Sequence, residues 1–215
     1  MKVAIFTDTF IPQVNGVART IGRLADALTK QEIPCMVLAP DTGLAGDHGY
    51  PVYFAPGLDL PLYRECKIAL PSYSEICNQL EFFKPDIVHL ATEFSMGLIG
   101  LKYASSAGIP VVSSYTINFP QYLSYYKLGL FSTWAWKYLR WFHSQCHKNY
   151  CPSRSTLQLL EKKGIQNLAI WGRGIHHHNG VTTVNGYLYV LTYRNLRPVH
   201  NWISVKPPKA KPLQD

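Results

Sequence analysis

Val3-Ala4-Ile5-Phe6-Thr7-Asp8-Thr9-Phe10, continuing through Pro12-Gln13-Val14-Asn15-Gly16-Val17-Ala18-Arg19, is the stretch whose reading decides the fold. Residues 2–7 form a compact apolar run without polar alternation, as in a parallel strand buried on both faces. Residues 12–16 read as a loop, and Asn15 is suited to cap a helix. Apolar residues then fall at Val17, Ile21, Leu24 and Leu28, which is helical spacing. A strand that runs through a short loop into a helix presents free backbone N–H groups at the helix mouth, where the helix dipole favours an anion. Gly16 has no Cβ, so a phosphate can approach the backbone there. Equally, Asn15 and Gly16 can form a capped turn that holds no ligand.

The same alternation continues outward. Strands are expected at 35–39, 52–54, 86–90, 110–115 and 167–170. Helices are expected from Tyr73 to Phe83, ended by Pro85, from Met96 to Ala107, closed by Gly108, and from Ser153 to Gly164. This predicts an α/β fold, a Rossmann-like doubly wound parallel sheet over residues 1–175. In such sheets ligands bind beyond the carboxyl ends of the strands. After Ile175 the pattern stops. Residues 176–215 read as an irregular tail, closing on Lys206-Pro207-Pro208-Lys209-Ala210-Lys211-Pro212.

Composition narrows the class. With 47% hydrophobic and 16% charged residues among 215, the chain is globular, which excludes disorder throughout. No run of eighteen apolar residues suggests a spanning helix, and the opening apolar run is too short for a signal peptide. The five cysteines, an odd number at irregular spacing, imply reduced thiols and a cytoplasmic setting. Half of the +8 net charge lies in residues 176–215, so the basic balance does not compel nucleic-acid binding. An anionic small molecule or a membrane surface suits it as well.

Several residues stand where chemistry is expected. Glu93 follows a strand and can bind sugar hydroxyls or act as a base, or simply favour the next helix dipole. His89, inside an apolar strand, reads as a core histidine. Thr116 and Asn118, after Tyr115, can bind a polar ligand or cap a turn. Residues 119–142 are dense in aromatics with Lys127, Lys137 and Arg140 among them, a mixture suited to a membrane interface or to stacking. Within it, Trp134, Tyr138, Trp141 and Gln145 form a stripe expected to face the core. Gly43, Gly46 and Gly49 do not make the dinucleotide fingerprint, which argues against an oxidoreductase. Cys146, His147 and Cys151 lack structural-zinc spacing, and Ser153 lacks the setting of a hydrolase nucleophile.

The opening stretch, together with Pro85-Asp86-Ile87-Val88-His89, Ala91-Thr92-Glu93-Phe94, Asn118-Phe119-Pro120-Gln121-Tyr122, Cys151-Pro152-Ser153 and Trp171-Gly172-Arg173-Gly174-Ile175, resembles the N-terminal domain of family 4 glycosyltransferases. The nearest likeness is to bacterial α-mannosyltransferase-like and glycolipid-forming enzymes. The resemblance implies the N-terminal half of a GT-B fold, which transfers a sugar from a UDP- or GDP-sugar donor, with retention, to a lipid or carbohydrate acceptor. It implies no cofactor and no metal. Asn15 and Gly16 would meet the donor phosphates, Glu93, Tyr115 and Asn118 the acceptor or sugar, and Arg173 and Gly174 would lie at the interdomain hinge. Peripheral contact with the inner face of the membrane is expected, and no nucleic acid.

Two departures from the family pattern stand out. The family's Tyr-His-Thr-Asn is here Tyr115-Thr116-Ile117-Asn118, so Thr116 occupies the place of an active-site histidine and the catalytic residue is unassigned. After Ile175 comes His176 rather than Asp, and the chain ends within forty residues. The expectation is a truncated or frame-shifted product in which residues 176–215 replace the donor domain, without turnover on its own. The alternative is a non-catalytic binding or membrane-surface module.

Overall fold

The computed structural model describes residues 1–43, 48–60, 63–116 and 129–172. Asn118, Arg173, Gly174, the expected tail at 176–215 and the aromatic run up to residue 128 lie outside the described residues.

The elements in chain order are β1 (Val3–Phe6), α1 (Gly16–Lys30), β2 (Cys35–Pro40), β3 (Val52–Ala55), β4 (Gly57–Leu60), β5 (Tyr63–Ala69), α2 (Tyr73–Phe83), β6 (Ile87–Leu90), α3 (Ser95–Ala107), β7 (Val111–Ser114), α4 (Gly129–Ser144), β8 (Lys148–Cys151), α5 (Arg154–Lys162) and β9 (Leu168–Ile170). Seven strands form one parallel sheet in the order β3-β2-β1-β6-β7-β8-β9. Strand order reverses at β1, with β2 on one side and β6 on the other. The crevice outside the carboxyl ends of β1 and β6 is therefore the topological switch point, where open α/β sheets bind ligands.

Period two along β1 divides the core. Val3 and Ile5 pack with Val17, Ile21, Leu24 and Leu28 of α1 on one face. Ala4 and Phe6 pack with Ile76, Leu80, Met96, Leu101 and Phe142 on the other. That is why the run reads as continuously apolar: both faces of the strand are covered. α3 lies close against this second face. A Cβ on Gly100 would come within 2.6 Å of the Phe6 ring and 2.8 Å of Leu90.

Two features depart from the sequence reading. β4 and β5 pair antiparallel, in a charged stretch to which the sequence reading assigns no element. The stripe of Trp134, Tyr138, Trp141 and Gln145 does not form the core face of α4. Trp134 is 70% exposed and Trp141 51%, and Gln145 is exposed. The buried face is one position over, at Ala135, Leu139, Phe142, His143 and Cys146. On this face the His143 ring finds partners on β7 and β8, at Ser113 and Asn149. Side-chain size alone did not reveal which stripe was inside.

Candidate functional site

The loops after β1, β6 and β7 meet at the carboxyl edge of the sheet. The first of them is organised around Asn15. Its Oδ1 accepts from the Ala18 N–H at 2.8 Å, and its Nδ2 donates to Thr9 Oγ1 at 2.6 Å. Thr9 Oγ1 donates in turn to Gln13 Oε1. Asn15 thus caps α1 in extended conformation, as its position predicted. The amides of Gly16 and Val17 remain without a hydrogen-bond partner among the described residues. Gly16 is exposed, and the first turn of α1 contains no acidic residue. The mouth is therefore open, with its positive end uncompensated.

Asp8 joins this loop to the next. One carboxylate oxygen accepts from Ser95 Oγ at 2.7 Å and from the Met96 N–H at 2.9 Å. The other accepts from Thr92 Oγ1 at 2.5 Å. α3 has no side-chain cap of its own, because Phe94 stands at its N-cap. Asp8, 88 positions earlier than Met96, supplies the missing acceptor. This half-buried aspartate holds the loop after β1 and the 91–95 loop in one frame. Sequence reading gave it no role. The only signal was a carboxylate placed immediately after a buried strand.

Glu93 and Tyr115 sit in the same wall, and both side chains are turned inward. Each is 3% exposed. The Glu93 backbone carbonyl accepts from the Tyr138 hydroxyl of α4, and its Oε1 lies 3.5 Å from His143 Nε2. Burial pushes the Glu93 carboxyl above the usual carboxylate range, partly offset by the His143 imidazole. Burial likewise raises the Tyr115 phenol, with a smaller push from Glu93. Thr116 donates to the Ala91 carbonyl at 3.0 Å, tying the ends of β6 and β7 together. The position that resembles the family's histidine site is thus occupied by a residue engaged with the backbone. His89 is fully buried, with Nε2 2.7 Å from Ser114 Oγ and its ring edge-on to Trp171. Desolvation lowers its pKa to about 3. It is a core histidine, as its strand position implied. The nearby His143 went unnoticed because it lies within the apolar pattern of a helix.

This arrangement can offer two backbone donors and a helix dipole to an anion, beside a buried carboxyl wall. Residues 14–179 match the family described as Glycosyltransferase Family 4. A GDP-mannose-dependent alpha-mannosyltransferase of Mycobacterium tuberculosis is 30% identical over 181 residues, covering 81% of this chain and 48% of the relative. An alpha-monoglucosyldiacylglycerol synthase of Streptococcus pneumoniae is 29% identical over 163 residues, covering 74% of this chain and 37% of the relative. The chain thus spans less than half the length of these curated relatives. Among solved structures, a sucrose-phosphate synthase from Thermosynechococcus elongatus superposes with a TM-score of 0.54 at 10% identity, covering 91% of this chain and 97% of that one. That likeness is one of fold. With its seven-stranded parallel sheet and the family match over residues 14–179, the chain belongs to glycosyltransferase family 4.

Proposed function

We propose that this chain forms the acceptor-side wall of a retaining glycosyltransferase, which uses a GDP- or UDP-sugar donor and a lipid or carbohydrate acceptor. The observation that carries this reading is the uncompensated α1 mouth at Asn15 and Gly16, beside the β1–β6 switch point. Two successive amides at one helix mouth, without partners among the described residues, suit a diphosphate, whose charge grows as the sugar departs. Protein dipoles do this without a metal. Asp8 keeps the mouth in register with the 91–95 loop, which we assign to the acceptor side with the buried Glu93 and Tyr115 side chains supporting it from beneath. Asn118, Arg173 and Gly174 are proposed for the acceptor and hinge roles on the family resemblance.

One wall by itself does not exclude water from an activated sugar, so turnover by the chain alone is expected to be low. Two charge-assisted hydrogen bonds and a helix dipole correspond to binding of roughly millimolar strength. Calorimetric titration of the full chain with GDP-mannose, UDP-glucose and pyrophosphate tests this. All three should bind with similar weak affinity, and an Asn15→Ala, Gly16→Val double variant should lose it. No pyrophosphate binding at several millimolar would refute the reading.

A separate observation favours a membrane-facing surface. The outward face of α4 exposes Trp134 and Trp141 with Lys137 and Arg140, and the helix carries no acidic residue. Lys137 Nζ lies 5.2 Å from the Trp134 ring centroid. We assign this face to peripheral contact with an anionic bilayer, at the cytoplasmic side. No helix among the described residues is long and apolar enough to cross a membrane. Co-sedimentation with phosphatidylglycerol vesicles should be lost in a Trp134→Ala, Trp141→Ala variant. Equal sedimentation of both proteins would contradict the assignment.

A further inference from the structure

Beneath the 91–95 loop lies a polar cluster that the phosphate site does not use. His143 of α4, Glu93, Ser113 of β7 and Asn149 of β8 are all buried, none above 3% exposure. Asn149 Nδ2 donates to the carbonyls of His143 at 3.1 Å and Gln166 at 2.8 Å. Two donations to backbone carbonyls fix which end of the amide is nitrogen. Asn149 Oδ1 therefore faces His143 Nδ1, at 3.1 Å, and also accepts from Ser113 Oγ at 2.6 Å. The single hydroxyl proton of Ser113 is committed there, so towards His143 Nδ1, 2.8 Å away, the serine can only accept. Two acceptors face Nδ1, which must carry a proton.

The other ring nitrogen, Nε2, points at Glu93 Oε1 at 3.5 Å. Both atoms are buried, and neither makes a hydrogen bond to any described residue. With no proton between them, a carboxylate lone pair would face an imidazole lone pair in a dry site. With two, an O–H would face an N–H. One proton is the arrangement that leaves neither atom opposed.

We infer that His143 is a positioning residue, held in the Nδ1–H form by Ser113 and Asn149, which anchors Glu93 through one proton shared between Nε2 and Oε1 and so fixes the 91–95 loop. The proton resides either on oxygen, between neutral groups, or on nitrogen, between carboxylate and imidazolium. No bond to a heavy atom changes. The other titratable groups facing the pair are Asp8 from the β1 loop, Tyr115 at the end of β7, and Tyr138 and Cys146 on α4. Burial raises both phenols and pushes the Cys146 thiol up to about 12, so these three stay neutral around pH 7. Burial, with a small contribution from Asp8, raises the Glu93 carboxyl against the opposing pull of His143, and the net rise favours the proton on oxygen. That the anchored loop is the acceptor side rests on the function proposed above, whereas the proton's place does not.

Nitrogen-15 and carbon-13 NMR of the full chain, labelled at histidine and glutamate, is the test. The unmodified protein should show a proton bonded to His143 Nδ1 at pH 7. Glu93→Gln should shift the His143 Nε2 resonance while the proton stays on Nδ1, and His143→Gln should shift the Glu93 carboxyl carbon. A bare Nδ1, or an Nε2 resonance unmoved by Glu93→Gln, would overturn the inference. For the loop, His143→Leu should speed amide exchange at residues 92–96 about tenfold relative to α5, with partial recovery in His143→Gln. Unchanged exchange would overturn the positioning role. If the NMR result holds while pyrophosphate fails to bind, the pair stands and the function reading falls.

Discussion

Replacing Asp8 by alanine removes every acceptor that the β1 loop offers to the start of α3. The Met96 N–H at 2.9 Å, the Ser95 hydroxyl at 2.7 Å and the Thr92 hydroxyl at 2.5 Å all lose their partner. The two hydroxyls can turn to other acceptors or to water. The Met96 amide is worse placed, since its residue is fully buried and Phe94 provides no cap. An orphaned buried N–H costs about 1–3 kcal/mol, and loss of a helix cap about 1. These describe overlapping effects, so the expected destabilisation is about 2–3 kcal/mol. For a folded region of this size that corresponds to a fall in Tm of roughly 5–10 °C. Asp8→Asn keeps an oxygen for Met96 but removes the charge facing the helix dipole. It should cost about 1 kcal/mol. Urea unfolding of the full chain followed by circular dichroism gives both values, and hydrogen exchange at α3 locates the damage. An Asp8→Ala protein within about 0.5 kcal/mol of the parent, or equal losses in the two variants, would refute the view that Asp8 caps α3 from the neighbouring loop.

Stability should fall as the pH drops below the ordinary histidine range. The folded-state pKa of His89 is depressed from 6.5 to about 3, so its contribution is intact above 6.5 and is lost progressively towards 3. At pH 5 the loss is about 2 kcal/mol, and the difference between pH 7 and pH 5 should shrink by that amount in His89→Leu. An unchanged pH dependence would contradict this. Gly100→Ala should destabilise by about 1–3 kcal/mol, because its Cβ would overlap Phe6 and Leu90 on the sheet. At Gly49, where nothing lies within 4 Å of the new Cβ, alanine should change stability by less than about 0.5 kcal/mol.

Much of this was legible in the sequence because the signals were local. β1 shows its burial on both faces in four successive residues, Val3 to Phe6. Asn15 announces its own cap, and Gly108 ends α3 in the left-handed conformation that its place after Ala107 implied. What escaped notice depends on distant partners. The hydrogen bonds of Asp8 cross 84 to 88 positions, so no spacing near residue 8 discloses them. His143 lies in a helix with two aromatic stripes, and only the packing of Ala135 and Leu139 decides which one turns inward. Glu93 was legible as a carboxylate at the end of a strand, but its inward orientation towards His143 follows from where α4 docks.

The most direct test of the central claim is a map of backbone amide shifts in the full chain during titration with pyrophosphate. The open α1 mouth predicts that Gly16 and Val17 shift first and furthest, at roughly millimolar concentrations, with smaller changes at Thr92 to Met96 transmitted through Asp8. If the largest shifts fall elsewhere and Gly16 and Val17 stay still, the mouth of α1 is not a phosphate site.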